Sequence, residues 1–442
     1  MWNDLFRTMI RLLGDYNPHE RIWKNIYDAM ASAFADMGIE VEPAGEKLDG
    51  RDLLKLLEGY DVLDFNRTPD EMTIFDLGFA LSATHIAQVG PEILIKYNMI
   101  SACNPCSLME LTPAMLFEIY HGILRECRGT VINLETRELV TAPFRKFANM
   151  NEWEETKQEN IMQMMEHASV VEYSNKLDGS LIIARAVNGE VRLFSSGNIS
   201  EEIAVQIGWA KSHLTEAHKR FLLDHEDYTC MFELIDPRES HVVPINRPAG
   251  IYLLGMRDIR NGSLRHYYEV IGLAAEYGIP ATHLFDKTFA EILEMVKTES
   301  HNDIEGFVVN IDGYRVKIKC EDYLAFQRVR NNFTHNDLIP LFLSESIDDA
   351  FSYMTDVDRE YYSGLLAELL DIRQKIFAYV DNALNNNPTD NRKDFAFWVK
   401  ANCHKKLRGF VLAKYSGKEI EPFMNLNMPR RYVDFMEFKH CF

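Results

Sequence analysis

Residues 170–197 read VVEYSNKLDGSLIIARAVNGEVRLFSSG, and the parsing of this stretch decides the fold. Residues 170–173 are a β-prone approach. Residues 181–187 and 191–195 are two β-rich runs joined by Asn188-Gly189. Asn-Gly between such runs is a strong hairpin signal, because a two-residue turn of the primed type needs positive φ at both central positions. Lys176-Leu177-Asp178-Gly179-Ser180 therefore falls at a strand end, a lysine followed at once by a carboxylate and a glycine. That placement suits a lysine used as a nucleophile on a phosphate. A surface turn with a solvated Lys and Asp would carry the same letters, so the context has to decide. The chain contains its own control: Lys47-Leu48-Asp49-Gly50 repeats the first four letters. The next seven residues there, RDLLKLL, have helical spacing, which assigns Lys47 to a loop.

Outward from the hairpin, residues 129–134 (GTVINL) and 138–142 (ELVTA) read as short strands around a turn. So do 229–235 (TCMFELI), 251–256 (IYLLGM), 307–311 and 314–319, the last two joined tightly by Asp312-Gly313. A helix is expected across 201–223. Antiparallel strands with interspersed helices over residues 96–325 make an α+β domain. Residues 1–95 read as a helical segment, with Leu5, Met9, Leu12 and Leu13 on one stripe and Ile22, Ile26, Met30 and Phe34 on another. Residues 326–442 read as an all-α domain, with Tyr361, Leu365, Leu369, Ile372 and Ile376 on one face and a polar break at Asn385–Pro388.

At 442 residues the chain exceeds one ordinary core, and its 47% apolar and 26% charged content is that of a globular protein. No apolar run approaches the roughly 20 residues that span a bilayer, so no membrane partner is expected. The opening MWNDLFRTMIRLLGDY carries Asp4 and Asp15 and reads as an amphipathic helix rather than a signal peptide. Seven scattered cysteines argue for reduced thiols and a cytoplasmic setting, in a bacterial or phage-infected cell. Cys103-x-x-Cys106 has no second pair at zinc-site spacing and reads as loop cysteines. A net charge of −20 counts against a surface coated by polyanion, because nucleic-acid affinity comes largely from Lys and Arg. It leaves room for a local basic groove, and cations do cluster late: Lys400, Lys405, Lys406 and Arg408, then Arg430 and Arg431.

Within 96–325 the polar signals are sparse, and each sits at a strand end: Arg128-Gly129, Lys146, Lys176-x-Asp178-Gly179, Glu233, Glu305-Gly306 and Lys317-x-Lys319. Alternation puts Lys317 and Lys319 on one face of their strand. Two ammonium groups so placed repel unless an anion lies between them, and a nucleotide phosphate is the natural anion. A cationic field also lowers the pKa of a neighbouring lysine, which has to be deprotonated to attack. Asp178, Glu233 and Glu305 are hard oxygen donors suited to Mg²⁺ (or Mn²⁺) or its water shell. Neither a GxxxxGK[ST] loop nor a GxGxxG turn is present to support another phosphate chemistry.

The order RG, KF, KxDG, FE, EG and KxK resembles the covalent nucleotidyltransferase superfamily of polynucleotide ligases and capping enzymes. The stretches ECRGTVINL, APFRKFANMNE, KLDGSL, MFELIDPRESHVV, YLLGMRD, DIEGFVV and YRVKIK resemble, more specifically, the RNA ligase 1 family of bacteriophage. KLDGSL in place of KxDGxR favours the RNA-joining form. The resemblance implies an antiparallel-sheet nucleotidyltransferase domain and an ATP-dependent RNA ligase that passes through a lysyl-AMP. It makes Lys176 the nucleophile and puts Gly179 at the nucleotide. Arg128 and Lys146 would contact phosphates or ribose, and Glu233 the ribose or metal-bound water. Asp178 and Glu305 would hold the hydrated metal, and Lys317 and Lys319 would contact the α-phosphate and orient pyrophosphate. The implied partner is RNA with 5′-phosphate and 3′-hydroxyl ends, such as a broken tRNA, with a 5′-kinase and 3′-phosphatase acting upstream and the all-α domain binding the RNA. Two positions depart from the pattern: Ser196 replaces a basic residue, and Ala148 follows Phe147 where a second Phe is usual. Residues 18–90 read as an insertion relative to that family. Two rival readings are a DNA ligase or capping enzyme, disfavoured by the helical tail, and a non-catalytic RNA-binding protein on a decayed ligase domain.

Overall fold

The structure is a computed structural model that describes residues 2–14, 17, 20–43, 45, 48–98, 105–107, 109–238, 247–299, 304–321, 323–324, 335–344, 347, 351, 356–389 and 391–442. It divides into two compact units, one of residues 1–44 with 50–327 and one of residues 45–49 with 328–442. Lys47 and Cys103 lie outside the described residues.

In the first unit the described strands form three four-stranded antiparallel sheets. Strands β1 (Thr84–Val89), β2 (Glu92–Tyr97), β3 (Arg128–Asn133) and β4 (Glu138–Thr141) make a meander. Next come β5 (Val171–Lys176), β6 (Ser180–Val187), β7 (Glu190–Ser195), β8 (Tyr228–Ile235) and β9 (Gly250–Asp258). The last are β10 (Leu284–Phe285), β11 (Gly306–Ile311) and β12 (Tyr314–Lys319). The second sheet runs β10-β5-β11-β12 and the third β7-β6-β8-β9.

The two hairpins expected from their turn dipeptides are present. Asn188 and Gly189 adopt φ of +52° and +78°, and Asp312 and Gly313 adopt +48° and +94°, so both turns take positive φ at both central residues. Asp312 does a second job: its carboxylate accepts from the Ser169 and Val170 N–H groups, each at 2.8 Å, and fixes the entry to β5.

Each sheet buries one face under helices. Helices Val205–His213, Glu216–Asp224 and Tyr267–Tyr277 cover β6 to β9 around Phe221, Phe232 and Val270. Helices Gln158–His167 and Phe289–Thr298 cover β5, β11 and β12 around Ile161, Phe307, Val309, Val316 and Ile318. Leu94, Val131 and Val140 of the meander pack on Ile183 and Phe194 of the β6–β7 hairpin. Each such side chain contributes roughly 1.5–3 kcal/mol on full burial.

Two expectations are corrected here. Residues 1–95 are not helical throughout, because β1 and most of β2 lie within them. Ile93, Leu94 and Ile95 are all buried, so β2 has no polar alternation to separate it from the apolar helix Ile74–Ser82 upstream. The single helix expected over 201–223 is two, and Thr215 starts the second by accepting the His218 N–H. Beyond the polar break, the all-α segment likewise divides into separate helices, among them Arg392–Asn402 and Arg408–Tyr415.

The described elements of the second unit are all helical. Its longest, Asp356–Asn385, stops at the polar break and buries Leu369, Ile372, Ile376 and Val380. Tyr361 is exposed rather than on that apolar face. Among the described residues no helix is long and apolar enough to cross a membrane, and no cysteine is disulfide-bonded.

Candidate active site

The strand register assembles the site. Gly306 of β11 stands opposite Lys176 of β5 on one side and Lys319 of β12 on the other. Two lysines 143 positions apart in the chain thus flank one glycine, and side chains opposite one another across antiparallel strands share a face. Gly306 is required by close approach: a Cβ there would lie 2.2 Å from the Ile318 carbonyl oxygen and 2.7 Å from the Lys319 Cα. Its φ of +155° also turns the chain so that the preceding Glu305 reaches both lysines. Gly306→Ala is expected to force β11 from β12 and cost about 3 kcal/mol, read as a lower urea midpoint at unchanged slope.

Glu305 is 3% exposed. Its Oε2 accepts from Lys176 Nζ at 2.6 Å, and its Oε1 is 3.0 Å from Lys319 Nζ. Burial alone would raise the Glu305 pKa, but the two ammonium groups outweigh it and hold the carboxyl below its ordinary range. Burial would likewise lower the Lys176 pKa, but Glu305, Glu233 and Asp178 outweigh it and hold the amine above its ordinary value. The expectation that neighbouring cations depress Lys176 is therefore corrected for the ligand-free chain. The carboxylates outnumber the cations around it, and Lys176 is stored as an ammonium ion.

Gly179 lies against β8, where a Cβ would meet the Leu234 carbonyl oxygen at 2.1 Å and Glu233 Cγ at 3.0 Å. Glu233, opposite Leu181 in the sheet, is 8% exposed, and Asp178 is half-buried. Leu177, Ile235 and Tyr252 form a small apolar cluster beside the loop.

The remaining cations gather on aromatic rings. Arg128 and Lys317 lie over the Phe147 ring, 5.5 and 5.2 Å from its centroid. Lys319 lies 5.4 Å from the centre of Tyr323. Lys146 is 6% exposed, with Nζ 3.3 Å from the Tyr97 hydroxyl and 4.8 and 5.5 Å from the ring centres of Tyr97 and Phe117. An ammonium enclosed by rings in this way has little surface left for the phosphate or ribose contact that the resemblance implied. Ala148 is buried, and its carbonyl accepts the Lys317 N–H at 3.0 Å while the Met150 N–H donates to the Lys317 carbonyl at 2.8 Å. Position 148 therefore helps pin β12 through its backbone. Ser196 is packed on Gly129, whose Cβ would stand 3.2 Å from Ser196 Cα.

Asp178, Glu233 and Glu305 do not form a ready-made metal site. Among the described residues no three His, Cys, Asp or Glu side chains converge closely enough to hold an ion, and both Glu305 oxygens are engaged by lysines. Sequence reasoning missed Phe147 as the ring shared by two cations, and Tyr97 and Tyr323 beside Lys146 and Lys319. The KF pair signalled the first; Tyr97 lies just past the segment read as helical and carried no signal.

Comparison with known proteins places the domain. The RNA ligase family matches residues 126–324, which hold every site residue named above except Tyr97 and Phe117. A putative RNA ligase of Thermovibrio ammonificans is 29% identical over 270 residues, covering 58% of this chain and 67% of that protein. The RNA ligase of Rhodothermus phage RM378 is 23% identical over 351 residues, covering 63% and 78%. Among solved structures, an archaeal ATP-dependent RNA ligase is similar with a TM-score of 0.44 at 15% identity, covering 75% of this chain and 87% of that one.

Proposed function

We propose that this chain, whose residues 126–324 match the RNA ligase family, is an ATP-dependent RNA ligase that works through Lys176. The observation that carries the reading is the Lys176–Glu305–Lys319 arrangement at the shared end of β5, β11 and β12. A lysine fixed within 2.6 Å of its counter-ion, with a second ammonium across it, is a positioned nucleophile beside a phosphate-binding cation.

In this account the Lys176 amine attacks the α-phosphorus of ATP. A P–N bond forms, the P–O bond to pyrophosphate breaks, and the amine proton is lost. Lys317 and Lys319 offset the charge on the transferring phosphoryl group and on pyrophosphate. Asp178, Glu233 and Glu305 would hold the hydrated divalent cation that accompanies the triphosphate, and the cation would offset phosphate charge. An RNA 5′-phosphate oxygen then attacks the same phosphorus and releases Lys176, and a 3′-hydroxyl displaces AMP to seal the strand. Arg128, which lies over Phe147, would contact the nucleotide, and the helical second unit would bind the RNA. A broken tRNA is the substrate class we favour, prepared by a kinase and phosphatase that expose the two ends.

Incubation with labelled ATP and Mg²⁺, then with RNA bearing 5′-phosphate and 3′-hydroxyl ends, tests the reading. The expected result is a covalent label on the protein that is chased into joined RNA. Labelling by GTP instead, or sealing of nicked DNA but not RNA, would replace it with a capping enzyme or a DNA ligase. RNA binding with no ATP–pyrophosphate exchange would replace it with a decayed ligase.

The stored proton gives a pH prediction. The Lys176 pKa lies above its ordinary value of about 10.4, so the attacking amine is scarce at neutral pH. The initial rate of label transfer is expected to rise close to tenfold per pH unit between about pH 6 and 8. A flat profile in single-turnover labelling would show that Lys176 is already neutral when ATP is bound.

A further inference from the structure

A cavity of about 510 Å³ lies at the other end of the β11–β12 hairpin, lined among others by Arg315, Arg145, Phe144, Phe147 and His266. Arg315 is on β12 four residues before Lys319, so alternation puts it on the same face as Lys317 and Lys319, about 13 Å along the strand. It is 4% exposed and stacked against Phe144 and Tyr267, 4.0 and 4.7 Å from their ring centres. Its Nε and Nη2 are buried and reach no hydrogen-bond acceptor. The nearest carboxylate across the sheet, Glu172, stands opposite Asn310, the residue that pairs with Arg315, and is engaged elsewhere. Glu172 accepts from the Tyr267 and Tyr268 N–H groups at 3.0 Å each and from Asn310 Nδ2 at 2.8 Å.

The other lining arginines separate into two kinds. Arg257 is neutralised by Glu126 at 2.6 Å, and Arg125 pairs with Glu118 and Glu155 while its Nε stays unbonded. Arg145 is 45% exposed and only 3.6 Å from Glu126, which Arg257 already holds. A buried guanidinium with two unmet N–H donors is costly unless something supplies acceptors and charge together. An apolar ligand would leave those donors unmet, and a cation would be repelled. An oxyanion presents both, and Arg315 lines the cavity together with Arg125, Arg145 and Lys146, which concentrate positive charge there.

We infer that this cavity is a binding site for a phosphate group, anchored by Arg315 about 13 Å along β12 from Lys319 and bordering the nucleotide site at Phe147. The group has two possible sources, free phosphate or the 5′-phosphate of an RNA end; only the second rests on the ligase reading.

The test uses the full chain and follows its thermal midpoint at constant ionic strength. The probes are inorganic phosphate, a 5′-phosphorylated oligoribonucleotide and the same oligonucleotide with a 5′-hydroxyl. Phosphate is expected to raise the midpoint of the wild type. Arg315→Met should weaken that binding at least tenfold, and Arg145→Gln, at the exposed rim, should weaken it in the same direction without touching the core. A larger shift with the 5′-phosphorylated than the 5′-hydroxyl strand, lost in Arg315→Met, assigns an RNA end. A shift by free phosphate alone assigns a small anion. Covalent labelling of Lys176 by ATP should persist in both variants, so failure of the site and failure of the ligase reading are told apart. The inference is overturned if phosphate shifts the wild type and both variants equally, if no probe shifts the wild type, or if saturating ATP abolishes the phosphate shift in a Lys176→Ala background.

Discussion

Glu305→Gln is expected to destabilise the first unit by about 3–5 kcal/mol, the usual cost of removing one partner from a buried ion network. The loss is large because two ammonium groups depend on this one carboxylate, Lys176 at 2.6 Å and Lys319 at 3.0 Å. The pH dependence has a definite sign. Glu305 has a lowered folded-state pKa, so its contribution is present above its unfolded value of about 4.3 and is lost as pH falls through the lower folded value. Lys176 has a raised one, so its contribution is present below about 10.4 and is lost as pH rises through the higher folded value. The stability gap between wild type and variant should therefore be widest between about pH 5 and 10 and close toward acid. Denaturant titrations at several pH values measure it. A gap that widened below about pH 4 would contradict the assignment. The same variant should label Lys176 about a hundredfold more slowly, because the lysine loses the group that holds it in place. Its pH profile should also move to lower pH, because burial is then less opposed.

The second large effect is Lys176→Ala, which should abolish transfer of AMP from ATP to the protein. The substitution removes the attacking nitrogen while leaving Glu305, Lys317 and Lys319 in place. RNA already carrying a 5′-adenylate needs no nucleophilic lysine, so the variant should still seal it at a measurable rate. Loss of sealing on that substrate as well would mean that Lys176 acts on the RNA steps or that its removal disrupts the sheet end. Thermal midpoints of variant and wild type separate those two outcomes.

The range of each interaction decides how much of the fold and the site is legible in the sequence. Asn188-Gly189 and Asp312-Gly313 are local signals, and both form hairpins with the expected positive φ. Lys317 and Lys319 share a face because a strand alternates. That Gly306 stands between Lys176 and Lys319 depends on register across 130 residues, which no local pattern carries. The direction of the Lys176 pKa is hidden for the same reason. The cations stand out along the chain, whereas the carboxylate that decides the outcome arrives from just before β11, far along the sequence from Lys176. The three carboxylates are not preassembled around one point for a related reason, since Glu305 is committed to the lysines in the ligand-free chain. Lys146 is conspicuous for its KF neighbourhood, but its surroundings come from Tyr97 and Phe117, on separate elements. The β1–β2 hairpin escapes notice because Ile93, Leu94 and Ile95 are buried without a break, and a strand with no polar face looks like the end of an apolar helix.

The most direct test of the central claim is intact-mass analysis of the full chain after incubation with ATP and Mg²⁺, followed by peptide mapping. The account predicts the gain of one AMP moiety, lost on adding pyrophosphate and located on the peptide containing Lys176. A modified peptide elsewhere in the chain, or no adduct from a protein that joins RNA ends in the presence of ATP, would contradict it.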